Sequence, residues 1–125
     1  MSNYSAAFES DAGTFEPVGL DFAGNETAGC IVYEVLKLTE VLGTTKYQRF
    51  PSVSTDISHM IDKGVPGLSL NNKNDMYFWF HHTHSDTLSM MDARELDMGT
   101  ALWAVSSFVI ANLTDKLPRD STFNV

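Results

Sequence analysis

The chain has 125 residues, enough for one domain at most, and is 43% hydrophobic and 19% charged, which excludes a disordered chain and allows a modest core. Eight basic against sixteen acidic residues leave a net charge of −8. That balance excludes a phosphate-reading surface and disfavours an anionic membrane, so neither nucleic acid nor membrane is an expected partner.

Tyr4 to Glu9 (YSAAFE) predicts a short buried strand. Asp11 to Asn25 is rich in glycine and turn formers and contains Pro17, so a long loop is expected. Glu26 to Leu42 predicts the first helix. Ala28, Ile31, Val32, Val35, Leu38 and Leu42 share one face, with Asn25 as N-cap and Gly43 as the stop. Cys30 is the single cysteine. It allows no intrachain disulfide and no Cys-rich zinc site, and its apolar setting predicts a buried, inert thiol.

Lys46 to Phe50 predicts a strand. Thr55 to Lys63 predicts a short helix capped by Ser54 or Thr55, ended by Gly64 and closed by Pro66. Gly67 to Leu70 and the aromatic run Met76 to Phe80 (MYFWF) predict two more strands. Asp92 to Lys116 predicts the last helix, opened by an Asp92-x-x-Glu95 capping box. Leu102, Val105, Phe108 and Val109 with Ala101, Ala104 and Ala111 make it apolar over much of its circumference, which predicts packing on more than one side.

The apolar stretch Ala101 to Ala111 is broken by Ser106 and Ser107 and is well short of the ~20 residues that span a membrane. The opening MSNYS has no basic or long apolar segment, so no signal peptide is expected in this chain. Sequons begin at Asn3, Asn25 and Asn112. Asn112 falls within a predicted helix, leaving Asn3 and Asn25 as candidate N-glycosylation sites.

Strands alternating with helices give an α/β class. The expected sheet is thin, with about three helices covering it. The expectation is therefore an incomplete central sheet, the C-terminal portion of a larger domain.

Two strand ends carry metal-type ligands. Asp11 falls where the first strand runs out, and ligands of α/β sheets gather at carboxyl ends of strands. It reads either as a cation ligand or as the start of an Asx-turn before Gly13. His81, His82 and His84 follow the aromatic run, with Asp86 close behind. Imidazole is the commonest zinc ligand, and a carboxylate can fix its tautomer. The alternative is an exposed polar turn. No convincing general base is present, Glu9 included.

His82-Thr83-His84-Ser85-Asp86-Thr87 is similar to the His-Thr-x-x-Asp-Thr element of co-catalytic zinc aminopeptidases and carboxypeptidases. FWFHHTHSDTLSMMD with the following helix and LPR, ESDAGTFEPVGLDFAGNETA, and STDISHMIDKGVPGLSL together resemble the C-terminal part of the carboxypeptidase Q group of these enzymes. The resemblance runs from about residue 4 to residue 119. It implies the C-terminal portion of a three-layer α/β/α zinc-exopeptidase fold. Residues 1–125 would form the C-terminal part of the catalytic domain, its N-terminal part absent. It implies His82 as a ligand of one zinc, Asp11 as a ligand of the other, and Asp86 and Thr87 as shapers of the turn presenting His82. Asp56 would cap the middle helix near the cleft, and Asp56 and His84 are substrate-cleft candidates. The family's earlier histidine, bridging aspartate and Glu-Glu pair have no counterpart here, so no catalytic residue is assigned. The implied function is hydrolysis of short peptides by a secreted or lysosomal enzyme with two zinc ions per complete site. This chain alone is expected to bind zinc weakly and hydrolyse nothing. The alternative is a non-catalytic α/β binding or interaction module derived from such an enzyme. An exposed sheet edge and face favour self-association, a homodimer among the forms.

Overall fold

A computed structural model describes residues 3–119. Four strands form one mixed sheet: β1 (Ala7–Glu9), β2 (Pro17–Ala23), β3 (Lys46–Arg49) and β4 (Gly67–Asn72). Their order is β1-β4-β2-β3. β1 runs parallel to β4 and β2 parallel to β3, while β2 and β4 are antiparallel. The helices are α1 (Glu26–Lys37), α2 (Ser58–Ile61), α3 (Tyr77–Phe80) and α4 (Ala93–Ala111). The α/β class stands, and the sheet is four strands wide.

The segment expected as a loop from Asp11 to Asn25 contains β2, which pairs with both β3 and β4. Its turn-forming residues have other reasons to be there. Pro17 is the first residue of the strand, where a missing N–H is tolerated. Gly19 faces Lys46 so closely that a Cβ would lie 1.7 Å from the Lys46 carbonyl oxygen. Only a residue without a side chain lets β3 dock there.

Leu20 and Phe22 of β2 and Leu68 and Leu70 of β4 are buried with Ala28, Val32, Val35 and Leu36 of α1 and Leu102 and Ile110 of α4. Sheet residues alternate sides, so this is one face of the sheet, covered by α1 and α4. A second, smaller cluster of Ala23, Val53 and Ile61 lies beside α2.

α1 starts at Asn25 as expected. Its Oδ1 accepts from the backbone N–H of Thr27 at 2.8 Å and of Ala28 at 3.3 Å. The helix ends at Lys37, short of Leu42. The buried Thr39 hydroxyl donates to the Leu36 carbonyl and the Thr44 hydroxyl donates to the Thr39 carbonyl, so side-chain bonds replace the helical ladder. A 3-10 turn, Glu40–Leu42, then runs into Gly43 at φ 78°. Cys30 is exposed rather than buried, on the side of α1 away from Ala28 and Val32.

α2 is one turn, shorter than Thr55 to Lys63, and has no side-chain cap. The Met76 to Phe80 run is not a strand. It forms the helical turn α3, with the His81 N–H donating to the Tyr77 carbonyl at 2.9 Å. With Phe78 79% and Trp79 71% exposed, no neighbouring strand realises the β preference of these aromatics. α4 ends at Ala111, short of Lys116, and Asp92 caps it by accepting from the N–H groups of Arg94 and Glu95. Its packing is one-sided: Leu102, Ser106 and Ile110 are buried and Phe108 is 70% exposed.

Candidate active site

Because β1 and β4 are parallel, with Glu9 beside Ser69, their carboxyl ends point the same way. Asp11 follows β1 by two residues, and α3 and the histidines follow β4. Chain direction alone therefore carries Asp11 and the His turn to one end of the sheet.

A cavity of about 110 Å³ lies there, lined by Asp11, Phe15, Tyr77, His81, Asp86 and Met90 among others. Burial raises the Tyr77 hydroxyl above its ordinary value, and the negative charges of Asp11 and Asp86 push it the same way. Both carboxylates thus act on a single phenol. Tyr77 stacks on His81 with centroids 4.6 Å apart, and His81 stacks on His82 at 3.8 Å. His82 lies outside the cavity lining, as the outer ring of this three-ring column, and is exposed.

Asp11 is exposed, and the Thr55 hydroxyl approaches its Oδ2 at 3.4 Å. A contact that long leaves the carboxylate able to ligate. Glu9 does different work. Its Oε2 accepts from the Ile57 N–H at 2.9 Å, holding the entry to α2. Asp56, expected to cap the middle helix, is exposed and α2 has no side-chain cap; Glu9 of β1 instead anchors Ile57, the residue before the helix.

The His turn is closed by Thr83, which sequence reading missed. Its hydroxyl donates to the Phe80 carbonyl at 2.8 Å and accepts from the Ser85 N–H at 3.2 Å. Asp86 and Thr87 enter the turn through backbone bonds to Thr83 and Ser85. His84 is exposed and is not among the residues lining the cavity. His82 has φ 58° and Ser54 φ 59°, the two non-glycine residues with positive φ among those described. Such backbone costs on the order of 1 kcal/mol and collects at functional positions.

Among the described residues, no three His, Cys, Asp or Glu side chains group as a metal-binding set. Asp11 and the imidazoles fit zinc by donor type, as part of a ligand set.

The signature of Peptidase family M28 matches residues 1–106. The chain belongs to Peptidase family M28. Among M28-type relatives, human carboxypeptidase Q is 45% identical over 119 residues, covering 95% of this chain and 25% of its own length. The mouse carboxypeptidase Q is 42% identical and the Xenopus laevis one 38%, with the same coverage. A solved structure, a Peptidase M28 precursor from Shewanella amazonensis SB2B, is similar with a TM-score of 0.76 and 29% identity, covering 91% of this chain and 26% of that one. This M28 chain spans about a quarter of the length of these relatives.

The other candidates are placed as follows. Asn3 is exposed. Asn25 has its amide oxygen committed to the α1 cap. The Asn112 amide donates to the Phe108 carbonyl at 2.7 Å. No described helix is long and apolar enough to cross a membrane.

Proposed function

We propose that this chain carries one side of the metal centre of a zinc-dependent exopeptidase acting on short peptides. The observation that carries the reading is the gathering of Asp11, Asp86 and the His81–His82 pair at the carboxyl ends of two parallel strands, in a chain of Peptidase family M28. Asp11 and His82 would hold metal. Zinc there supplies Lewis acidity toward the scissile carbonyl and an activated water.

The chain's own residues do the remaining work. Thr83 closes the turn that offers His82. The His81 ring braces His82 face to face, and Tyr77 braces His81. Asp86 and Asp11 keep the cavity negative, which favours a cation. Phe15, Met90 and Met91 line the same cavity and limit water in it.

Further ligands and a general base have to come from outside the described residues, since these supply no three-ligand set. By itself the chain therefore binds zinc weakly and hydrolyses nothing. That same lack favours the second reading, a non-catalytic α/β module derived from such an enzyme. The proposal includes a secreted or lysosomal location and two zinc ions per complete site, supported by the similarity to carboxypeptidase Q, and a homodimer, supported by the exposure of Phe108, Phe78 and Trp79. Calorimetric titration with zinc tests the proposal. Affinity weaker than about micromolar, further weakened by His82→Ala and Asp11→Ala, supports it. Sub-micromolar binding of two zinc ions refutes the partial-site account.

A further inference from the structure

Asn3, Asn25 and Asn112 each open an Asn-x-Ser/Thr triplet. The sequence pattern put Asn112 inside a helix reaching Lys116, but α4 stops at Ala111 and Asn112 follows it at φ −100° and ψ 4°. Asn112 and Thr114 are both exposed, and Thr114 lies in a bend outside the helix. The Asn112 side-chain nitrogen carries two hydrogens. It donates to the Phe108 carbonyl at 2.7 Å, and the Asn112 backbone N–H reaches the same carbonyl at 3.1 Å. Replacing the second side-chain hydrogen therefore leaves the end of α4 capped.

Asn25 is the contrast. Its Oδ1 accepts from the backbone N–H of Thr27 and of Ala28, and Thr27 is already inside α1. A transferase takes the asparagine and the hydroxyl residue together, as one open stretch of chain. At Asn25 that requires the first turn of α1 to unwind and its cap to be lost. At Asn112 the stretch lies beyond the helix.

The position also suits a bulky group. α4 begins just after Met90 and Met91, which line the histidine cavity, and its 19 residues carry the chain about 28 Å away. Beyond it, Arg119 donates to the Tyr4 carbonyl ahead of β1, at the end of the sheet opposite the candidate metal centre. A glycan at Asn112 thus leaves that centre open. Phe108 is 70% exposed and precedes Asn112 by four residues, the spacing of neighbours on a helix surface. A sugar on Asn112 shields that ring and leaves Phe78 and Trp79, near the His turn, as aromatics open for self-association.

We propose that Asn112, rather than Asn25, is an N-glycan acceptor. Its modification in the cell rests on the secretory location proposed above; its competence as an acceptor does not. The donor is a polyprenyl-diphosphate oligosaccharide. Asn112 Nδ2 bonds to the anomeric carbon, the carbon–oxygen bond to the diphosphate breaks, the amide nitrogen gives up one proton, and the polyprenyl diphosphate leaves.

The test is translation of the full chain, behind a cleavable secretory leader, into microsomes that hold the transferase and its lipid-linked donor. Asn3→Gln removes the third triplet, so Asn25 and Asn112 compete. Peptide N-glycosidase converts a glycosylated asparagine to aspartate, and peptide masses then show which position carried the sugar. Conversion at Asn112 with Asn25 unchanged is expected. Asn112→Gln should abolish the glycan, and so should Thr114→Ala, which keeps Asn112 and its bond to Phe108. Thr27→Ala should change nothing. Cleavage of the leader reports that the chain entered the lumen, so an entered chain unmodified at Asn112 overturns the proposal. Equal modification of Asn25, or a glycan retained in Thr114→Ala, overturns it as well. The secretory reading is tested apart, by fractionating cells for the natural protein. Its absence from secretory compartments would sink that reading and leave the microsome result standing.

Discussion

Gly19→Ala isolates the contact that decides the sheet's order. The new Cβ would lie 1.7 Å from the Lys46 carbonyl oxygen, 2.5 Å from its carbon and 2.8 Å from its Cα, against ordinary contact at 3.4–4 Å. All three atoms are backbone, so no rotamer change relieves the clash. β3 must retreat by roughly 1.5 Å or more, beyond the stretch a 2.9 Å ladder bond tolerates. Each ladder bond lost costs about 1 kcal/mol net. Tyr47 moves with β3, and it stacks on Phe22 with ring centroids 6.4 Å apart and meets the Tyr33 ring edge-on at 5.7 Å. We expect a loss of about 2–4 kcal/mol, a large share of the ~5–15 kcal/mol typical of a domain. Gly99→Ala is the control. Its Cβ would meet only Leu70 Cδ1 at 3.4 Å, at the end of a side chain, and alanine gains up to about 1 kcal/mol over glycine in a helix. Urea unfolding followed by circular dichroism measures both. A Gly19→Ala variant within about 0.5 kcal/mol of wild type, or one no less stable than Gly99→Ala, would refute the close-approach reasoning.

Burial holds the Asp21 carboxyl above its ordinary value of 3.8, and the Asn71 bond only partly opposes this. A raised acid binds its proton more tightly in the folded state. Its stabilising contribution is complete below the unfolded value and is lost as pH rises through the folded one. Asp21→Asn should therefore flatten the stability–pH curve on the alkaline side of 3.8 relative to wild type; an unchanged curve contradicts the burial of this group. Asp92→Ala removes the cap of α4 and should cost about 1 kcal/mol in thermal or urea unfolding. Leu102→Ala, at a side chain with no exposed surface, should cost about 2–5 kcal/mol. Asp11→Asn should lower the Tyr77 titration seen by NMR, because the Asp11 charge helps to hold that hydroxyl up; no movement would separate the two groups in space.

The helices α1 and α4 were legible because caps and a three-to-four periodicity coincide: Asn25 and Asp92 do at atomic level what their positions in sequence suggest. β2 was hidden by residues whose reasons are tertiary. Gly19 answers to Lys46, a contact between strands, and Gly24, at φ 152°, follows the strand's end. Asp21 between Leu20 and Phe22 is the alternation a strand leaves. The MYFWF run misled because aromatic β preference needs a partner strand. Asp11 and the His turn could be placed at strand ends from sequence. That β1 and β4 lie side by side and parallel could not, because register across nearly sixty residues is set by packing rather than by local pattern. The bracing of His82 by His81 and Tyr77, and the closure of the turn by Thr83, were not legible, because stacking and turn closure leave no periodic trace.

Titrating the chain with cobalt(II) while following the resonances of Asp11 and His82 addresses the central claim most directly. Paramagnetic broadening of both residues over the same range of cobalt in the wild type, weakened at the remaining residue by His82→Ala or Asp11→Ala, is the predicted result. Broadening confined to His82 and its histidine neighbours, with Asp11 sharp throughout, would contradict the shared centre.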